Sequence, residues 1–419
     1  MEDSLRQFVE LYRDYGTRID SGSPDAINAH RAAALARLEQ MTLPAADSEN
    51  YEFTDFNGLL TPDYGLPIAP EVPPVAAGLP GAWPGGVFAG SLREFDRKYP
   101  GVLREYYGKL ASLDNPIVAL NTLLVQDGFI LYVPAGVKVE KPIQIVNRMA
   151  SGQPVLSPRR LIVIMGEDAE ARLLSCDHTE RMDSESLSLG VTELFIGRNA
   201  RFDYYDLEES AEKSKRLSAI YMRQEEHSHT TLDCMTLFNG FTRNEFYCDM
   251  AGEHSGLGLY GMGICDRSRR LSVYSHINHG VARCHSNELF KIAADEQARC
   301  AFTGRIHVAK GAVETEAYQA SRNLISGNEA VVKARPELEI YNDDVKCSHG
   351  CAVGQLDEQQ MFYMRTRGIP ESKARLLLRQ AFMADIIDVI SIPSLRDRLH
   401  ILVERRFAGQ NASCSCDVK

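Results

Sequence analysis

The sequence predicts a mainly β protein built around a β-solenoid, with helical regions at both ends. After residue 115, short runs rich in β-branched residues follow one another at close intervals, separated by Gly, Asn and Asp. Related turns recur at residues 166–169, 197–200, 294–298 and 327–330. Most are separated by about 30 residues, a period typical of stacked coils that bury their faces against their neighbours. A two-sheet sandwich is the alternative fold.

The first 42 residues are predicted to form two helices. The second helix is expected to have Ser23 as its N-cap and Pro24 at its first position, and to end before Pro44. In the first helix, apolar residues follow the helical spacing of 3.6 residues, a pattern more typical of packing than of ligand binding: Leu5, Phe8, Val9 and Tyr12.

Residues 60–90 are dense in Pro and Gly, which predicts an extended connector because neither residue sustains a helix or a central strand. A short helix is expected around residues 91–110. The strands expected after it are residues 129–133, 141–146, 160–165, 171–176, 188–196, 200–207, 217–222, 231–238, 270–277, 299–308, 331–334 and 338–342.

From Pro370 onward the pattern is helical again, with a second helix predicted after Pro393 and a free tail at the end. The apolar positions of the first of these helices are Leu377, Leu378, Ala381, Phe382, Ile386 and Ile387. The predicted regions are an N-terminal helical region (1–58), a connector with a short helix (59–114), the β-helix core (115–369), a C-terminal helical region (370–410) and the tail (411–419).

The composition excludes several classes of protein. Lys and Arg number 46 against 57 Asp and Glu, so the net charge of −11 offers no general attraction to nucleic acid or anionic lipid. No apolar run is long enough to span a membrane, and the acidic amphipathic start does not resemble a secretion signal, so a cytoplasmic location is expected. Ten cysteines occur without a CxxC motif, which excludes a zinc ribbon or thioredoxin motif and predicts free thiols.

The sharpest local motif is NDDVKCSHGCAVG, residues 342–354. If this segment is a strand, Cys347, His349 and Cys351 share one face and could present thiolates and an imidazole to a soft metal or to sulfur. The alternative is that this face points into the core, where a free cysteine packs as a small hydrophobic residue. The residue pattern favours neither interpretation clearly.

Other motifs are weaker. His276, His279, Cys284 and His285 could form a four-ligand metal site, although scattered positions are the better expectation. Structural interpretations are preferred for the remaining motifs. We expect a solvated loop at His227 and His229, a loop corner at Asp343 and Asp344, and thiols without a role at Cys414 and Cys416. The glycines of the GxGxxG motif are expected to allow close backbone approach: Gly256, Gly258 and Gly261. A Walker A motif is absent from the sequence.

Several segments together resemble the SufB/SufD family, the scaffold subunits of SUF iron–sulfur cluster assembly. They are residues 115–143, 158–169, 279–291, 302–308 and 320–369, of which the last is the most specific. The KCSHG motif, the moderate length and the segment 43–56 are more similar to the SufD branch than to the SufB branch. The resemblance implies a right-handed parallel β-helix core between N-terminal and C-terminal helical regions.

The resemblance also implies partners and a role. It implies that residues 371–407 dock a SufC-type ABC ATPase, and that the chain pairs with a SufB-type paralogue, or with itself in isolation. Cys347 and His349 would lie where a transient iron–sulfur cluster forms, with no permanently bound cofactor and no catalysis by this chain. ATP binding would move the docked helices and expose these groups. Cys351 replaces an expected Ala, so it is either an additional ligand or a core substitution without a role.

Two other functions remain as alternatives at this point. One is an intracellular β-helix enzyme that cleaves polysaccharide with Asp343, Asp344 and His349, against which the poor pairing of adjacent carboxylates on a strand argues. The other is a stand-alone metal-binding module.

Overall fold

A computed structural model shows a parallel β-solenoid of about eight turns, with helices at both ends of the chain. The structure describes residues 2–46, 48–68, 76–77, 84–182 and 184–410. Two predicted features lie wholly or partly outside the described residues: part of the connector, at 69–75 and 78–83, and the tail 411–419 with Cys414 and Cys416.

The described strands form two sheets of nine strands each. Sheet A contains β2 (Phe88–Ser91), β3 (Phe129–Val133), β5 (Val155–Met165), β7 (Ser186–Ile196), β9 (Ser214–Gln224), β11 (Phe241–Met250), β13 (Arg270–His279), β15 (Arg299–Val308) and β17 (Val331–Ile340). Sheet B contains β1 (Ala76–Ala77), β4 (Ile143–Ser151), β6 (Glu170–Met182), β8 (Arg201–Glu209), β10 (His229–Phe238), β12 (Gly256–Cys265), β14 (His285–Ala294), β16 (Thr315–Ile325) and β18 (Val345–Gly354).

The helices lie before and after the solenoid. Those on the N-terminal side are α1 (Asp3–Ser21), α2 (Asp25–Gln40), α3 (Phe56–Leu60), α4 (Leu92–Lys98), α5 (Val102–Tyr106) and α6 (Pro116–Leu124). Those on the C-terminal side are α7 (Glu358–Thr366), α8 (Glu371–Ile387) and α9 (Pro393–Phe407). Single 3-10 turns occur at Glu49–Tyr51 and Pro84–Gly86. Among the described residues, none of these helices is long and apolar enough to cross a membrane.

The topology explains the repeat that the sequence shows. From β3 to β18 consecutive strands alternate between the sheets, and each pairs in parallel with the strand two positions further along the chain. Register partners such as Leu271, Cys300 and Val332 therefore recur once per coil. This arrangement confirms the predicted parallel β-helix with helical regions at both ends. It excludes the sandwich, in which antiparallel strands would form each sheet.

The corners of the solenoid stack directly on one another. At many corners one residue other than glycine adopts the left-handed conformation, as do Asp168 and Asn199, both with φ of 56°. The Asp168 amide donates to the Arg198 carbonyl at 2.9 Å, and the Asn199 amide donates to the Glu226 carbonyl at 2.9 Å. The predicted turns at 166–169 and 197–200 are corners of this kind.

At some corners the neighbouring coil lies so close that only glycine fits. A Cβ on Gly252 would lie 1.9 Å from the Glu226 backbone nitrogen, whereas a Cβ on Gly152 would meet nothing within 4 Å. We expect Gly252→Ala to lower the free energy of unfolding by about 1–3 kcal/mol, the usual cost of overpacking. Gly152→Ala is the control and should change it by less than about 0.5 kcal/mol. Chemical denaturation measures both, and equal stability of the two variants would contradict close stacking at the Gly252 corner.

The N-terminal helices cover the outer face of sheet A. All nine residues of α6 are buried, and they pack with apolar residues of β5, β7 and β9 such as Leu187 and Leu189. The buried Arg31 of α2 donates to the Val125 carbonyl at 2.7 Å, at the end of α6. The expected cap of α2 is wrong: the helix begins at Asp25, and the Ser23 hydroxyl donates instead to the Ile19 carbonyl of α1 at 2.7 Å.

Helices α8 and α9 cover the outer face of sheet B. Met383, Ile386 and Ile387 of α8 are fully buried in one cluster with Met235 and Leu237 of β10. Two further contacts anchor the helices to the solenoid. Lys291 Nζ of β14 donates to the Phe382 carbonyl at 2.7 Å, and Arg406 Nε of α9 donates to the Leu237 carbonyl at 2.7 Å.

The predicted strands need two corrections. The runs 331–334 and 338–342 are not two strands, because β17 continues through Pro336. The strand β17 is the last of sheet A, where the missing N–H of a proline leaves no gap between paired strands. Six strands were not predicted from the sequence: β1 and β2, which lie mainly in the expected connector, and β11, β12, β14 and β16. Repeated glycines weaken the strand pattern in the sequence of β12, and charged residues interrupt that of β11.

Candidate functional site

Cys347, His349 and Cys351 all lie on β18, the last strand of sheet B. The Cys347 side chain packs against the apolar interior between the sheets, and Cys351 Sγ lies 3.8 Å from the Ala334 carbonyl of the opposite strand β17. Alternate residues of a strand share a face, so His349 lies on this same inner face. On the opposite face, Lys346 forms an ion pair with Glu316 at 2.7 Å.

This inner face is open because the solenoid ends here. Each of β17 and β18 is paired on one side only, with β15 and β16 respectively, so no described strand covers the last coil. Cys347 is half-buried, and His349 and Cys351 are exposed. Large apolar side chains are exposed along the same coil: Ile340 (38%), Tyr341 (61%) and Val353 (44%). We name this surface, formed by β17, β18 and their connection, the terminal coil.

The two thiols of the terminal coil are not activated by their surroundings. Partial burial raises the pKa of Cys347, and a hydrogen bond with the Ala317 backbone opposes this rise only in part. Burial also raises the pKa of Cys351. Since the thiolate is the form that binds metal and attacks sulfur, both thiols need an incoming cation or base before they react.

The spacing along β18 limits how these residues could bind iron. A strand advances about 3.3 Å per residue, so Cys347 and Cys351 are about 13 Å apart and cannot reach one ion together. Either thiol is close enough to share an ion or a cluster with His349. Among the described residues, no group of three or more His, Cys, Asp or Glu side chains is arranged to hold a metal ion. Further ligands would have to come from outside the described residues.

The structure does not bring the second histidine cluster together. His279 is fully buried and bonds to Ser286 Oγ at 2.9 Å, while His285 is exposed on β14 and contacts Tyr318. Cys284 is buried, with its thiol 3.3 Å from Ser255 Oγ. His276 and His279 are three positions apart on β13 and therefore lie on opposite faces of that strand. The expected scattering of these residues is confirmed, and within the described part of the chain they form no four-ligand metal site.

The remaining motifs have structural explanations. His227 lies at a left-handed corner and stacks on His254, with ring centroids 4.7 Å apart. The expected loop does not include His229, which is exposed but is the first residue of β10. Asp343 and Asp344 are exposed between β17 and β18, and the Asp344 carbonyl accepts from the Glu314 amide at 2.7 Å. Gly261 lies within strand β12, where a Cβ would lie 2.2 Å from the Phe290 ring. The expected close backbone approach at the GxGxxG glycines is wrong, because side chains occupy the space beside them. The segment is not followed by the helix of a dinucleotide site.

The free thiols agree with the sequence prediction for the described part of the chain. All eight cysteines there are free, and six of them are buried. Cys265 and Cys300 face each other in the core, where the neighbouring thiol and burial raise the pKa of Cys300.

Sequence reasoning missed the polar residues inside the last coils. Glu288 of β14 and Gln319 of β16 are buried between the sheets, and Gln319 Nε2 donates to Glu288 Oε2 at 2.6 Å. Gln319 is also the register partner of His349 on β18. In the sequence they differ from solvent-exposed polar residues only in that they occupy inward-facing positions of a strand. Those positions can be identified only when the register of the strands is known.

Burial of Glu288 should make the fold sensitive to pH. Desolvation raises the pKa of this carboxyl to about 7, and the nearby Ser275 and the hydrogen bond from Gln319 oppose this rise only in part. The folded protein therefore keeps a proton that the unfolded chain loses near its ordinary pKa. Stability should fall as the pH rises from about 4.5 to 7, by about 3 kcal/mol for this group.

We expect Glu288→Gln to remove this loss, because the amide oxygen still accepts from Gln319 and carries no charge. The variant should be more stable than the wild type at pH 8 and similar to it near pH 5, as measured by urea denaturation at both values. Glu10→Gln, at an exposed position of α1, is the control for the change in net charge. A wild-type advantage at pH 8 would contradict the assignment of a protonated Glu288.

Two family models match the chain. The model described as "SUF system FeS cluster assembly, SufBD core domain" matches residues 147–382, and the "SufBD protein N-terminal region" model matches residues 2–77 and 75–145. The core match spans the solenoid from β4 to β18 and most of α8. The segments that carry the sequence resemblance fall largely within these matches.

Individual relatives agree with the family models. The chain is 24% identical to the iron–sulfur cluster assembly protein SufD of Escherichia coli, over 97% of both chains. It is 27% identical to an iron–sulfur cluster assembly SufBD family protein of Synechocystis, over 73% of this chain and 69% of the relative. It is 23% identical to the SufB protein of Bacillus subtilis, over 67% of this chain and 61% of the relative.

Proposed function

Because the chain belongs to the SufBD family of iron–sulfur cluster assembly proteins, we propose that it is a SufD-type scaffold subunit without catalytic activity of its own. Iron and sulfide are its cargo, and the cluster forms transiently where the terminal coil meets a SufB-type partner. The observation that carries this proposal is the position of Cys347 and His349 on the open inner face of the last coil.

The terminal coil has the features of a surface that pairs with another chain. The outer edges of β17 and β18 carry backbone donors and acceptors that no described strand satisfies. Soluble proteins usually protect such edges, whereas this one is flanked by the exposed apolar side chains of Ile340, Tyr341 and Val353. A SufB-type paralogue, built on a related β-helix, could extend both sheets across the junction. In isolation a second copy of this chain would use the same edge.

The chemistry of the terminal coil suits half of a cluster-assembly site. Thiolate and imidazole both bind iron, and each is available here on a face that a partner would enclose. The thiols remain protonated in the isolated chain, so they would bind only when iron arrives or when the partner supplies a base. A site that is complete only in the complex fits transient assembly better than permanent storage. Cys351 is a further ligand in this proposal only if the cluster forms on its side of His349.

The second part of the proposal concerns a SufC-type ABC ATPase, which would dock on α8 and α9. On α9, Ile401 is 52% exposed although it is a large apolar residue. The helices are anchored to the solenoid at β14 by Lys291, which also pairs with Asp385 of α8 at 2.5 Å. In sheet B only β16 separates β14 from β18. A movement of α8 that follows ATP binding would therefore be passed to strands next to Cys347 and His349.

The proposal is tested by purifying this chain together with the SufB-type and SufC-type proteins of the same source. We expect a stable complex, and we expect anaerobic iron and sulfide to form more cluster on that complex than on the partners without this chain. If the chain fails to associate with either partner, the scaffold proposal is wrong. If it associates but its omission leaves the cluster yield unchanged, its role in assembly is wrong while the partnership stands.

A further inference from the structure

A column of polar residues inside the solenoid leads to the open end. On sheet B, Glu288, Gln319 and His349 are register partners on the successive strands β14, β16 and β18, about 4.8 Å from one another. The residue before them in the same column is Leu259 of β12. The column thus turns from apolar to polar only in the last three strands of the sheet.

The Gln319 amide is held in a fixed orientation. Its side chain is 3% exposed, and Nε2 donates to the fully buried Glu288 Oε2 at 2.6 Å. On the opposite sheet, Gly304 leaves the space that this amide occupies, since a Cβ there would lie 2.4 Å from Nε2. The bond to Glu288 places the amide nitrogen toward β14 and the oxygen on the side away from it.

The Gln319 amide oxygen lacks a partner. Oε1 is buried, and within the described part of the chain no hydrogen-bond donor reaches it. Such an unpaired buried acceptor costs about 1–3 kcal/mol, so its persistence calls for an explanation. The strand on the side away from Glu288 is β18, and the register partner of Gln319 there is His349, which carries a ring N–H donor.

We propose that Gln319 is the positioning residue of His349, with Oε1 accepting a hydrogen bond from one ring nitrogen and leaving the other nitrogen free to bind iron. Rotation of the exposed ring about its two side-chain torsions closes the bond. Histidines that bind metals usually donate their other N–H to such an acceptor, which fixes the tautomer and the ring orientation. Iron binding by the free nitrogen rests on the proposed function, whereas the hydrogen bond is a property of this chain alone.

The test measures the tautomer of His349 in the isolated full chain. Nitrogen chemical shifts of the imidazole are recorded after 15N-histidine labelling in buffer of about pH 9, where imidazoles are ordinarily neutral. The His349→Ala variant identifies the signals. We expect wild-type His349 to show one dominant tautomer, with widely separated shifts for its two nitrogens. In Gln319→Met, which keeps the length and removes the acceptor, the two shifts should move toward each other as the tautomers mix.

Asn323→Leu is the matched control. Asn323 is a second buried amide on the inner face of β16, and its register partner on β18 is Val353. This variant should leave the His349 shifts unchanged. An averaged wild-type spectrum, a Gln319→Met spectrum like that of the wild type, or an equal change in Asn323→Leu would overturn the inference. The wild-type spectrum decides alone if Gln319→Met does not fold. None of these readouts depends on cluster assembly, so the proposed function can fail while the inference stands.

Discussion

Val353→Lys is expected to weaken association with the SufB-type partner at least about 30-fold. Val353 is exposed on the terminal coil, where the proposed interface would bury it. A lysine there would carry an unpaired charge into that interface, at a cost of about 2–5 kcal/mol, and lysine on an edge strand is the usual protection against pairing. The fold should tolerate the change because the side chain is exposed in the free chain. Affinity is measured by titration with the purified partner.

Ile401→Lys provides the matched control, since it adds the same charge at a similarly exposed apolar position on α9. It should leave the affinity for the SufB-type partner unchanged and lower the affinity for the SufC-type ATPase. Val353→Lys should lower the affinity for the SufB-type partner and leave the affinity for the SufC-type ATPase unchanged. If both variants weaken the same interaction, or if Val353→Lys binds the SufB-type partner normally, the terminal coil is not the interface between the paralogues.

Arg216→Met is expected to destabilise the fold by about 3–5 kcal/mol, the largest loss of stability expected among these substitutions. Arg216 is buried inside the solenoid, where it bonds to Asp206 and lies 3.5 Å from Asp177 and 3.7 Å from Glu208. Removing the guanidinium leaves carboxyl groups buried without the cation that faces them. Arg198→Met, which removes an exposed partner of Glu167, should cost no more than about 1 kcal/mol.

The loss caused by Arg216→Met should depend on pH in a defined direction. Burial already raises the pKa of Glu208 to about 7 and also raises the pKa of Asp206, and in both cases Arg216 opposes the rise. Without Arg216 the folded state would hold these protons to still higher pH than the unfolded chain. The variant should therefore be closest to the wild type near pH 5 and fall furthest behind it at pH 8, as measured by denaturation. A deficit that is equal at both values would contradict this explanation.

The solenoid could be predicted because its cause is repeated in the sequence. Corners such as 166–169 and 197–200 have the same chemistry since each stacks on the next one, and β3 and β15 coincide with predicted runs. The strand β11 could not be found in this way. Its charged residues Arg243 and Glu245 interrupt the apolar pattern, yet both are buried under the N-terminal region, with Arg243 bonded to the Asn50 carbonyl at 2.8 Å. When a distant segment buries a charged residue, the sequence around that residue does not indicate its burial.

The candidate site was predictable only in part, for a related reason. Alternation along a strand places Cys347, His349 and Cys351 on one face, and this segment is the strand β18 in the structure. This face is open because β18 belongs to the last coil of the solenoid. A single motif does not reveal how many coils the chain forms. The partnership of Gln319 with His349 depends on the register between strands 30 residues apart in the chain, and a spacing rule along one strand cannot supply it.

The most direct test of the central claim is anaerobic reconstitution of the assembled complex with iron and sulfide, comparing wild type with His349→Ala. Size-exclusion chromatography first establishes that both complexes assemble equally, and the absorbance of the cluster then gives the yield. We expect the His349→Ala complex to form intact and to yield at least about tenfold less cluster, because the imidazole that the terminal coil offers to iron is gone. An intact complex with an undiminished cluster yield would show that the terminal coil of this chain does not supply a ligand to the cluster.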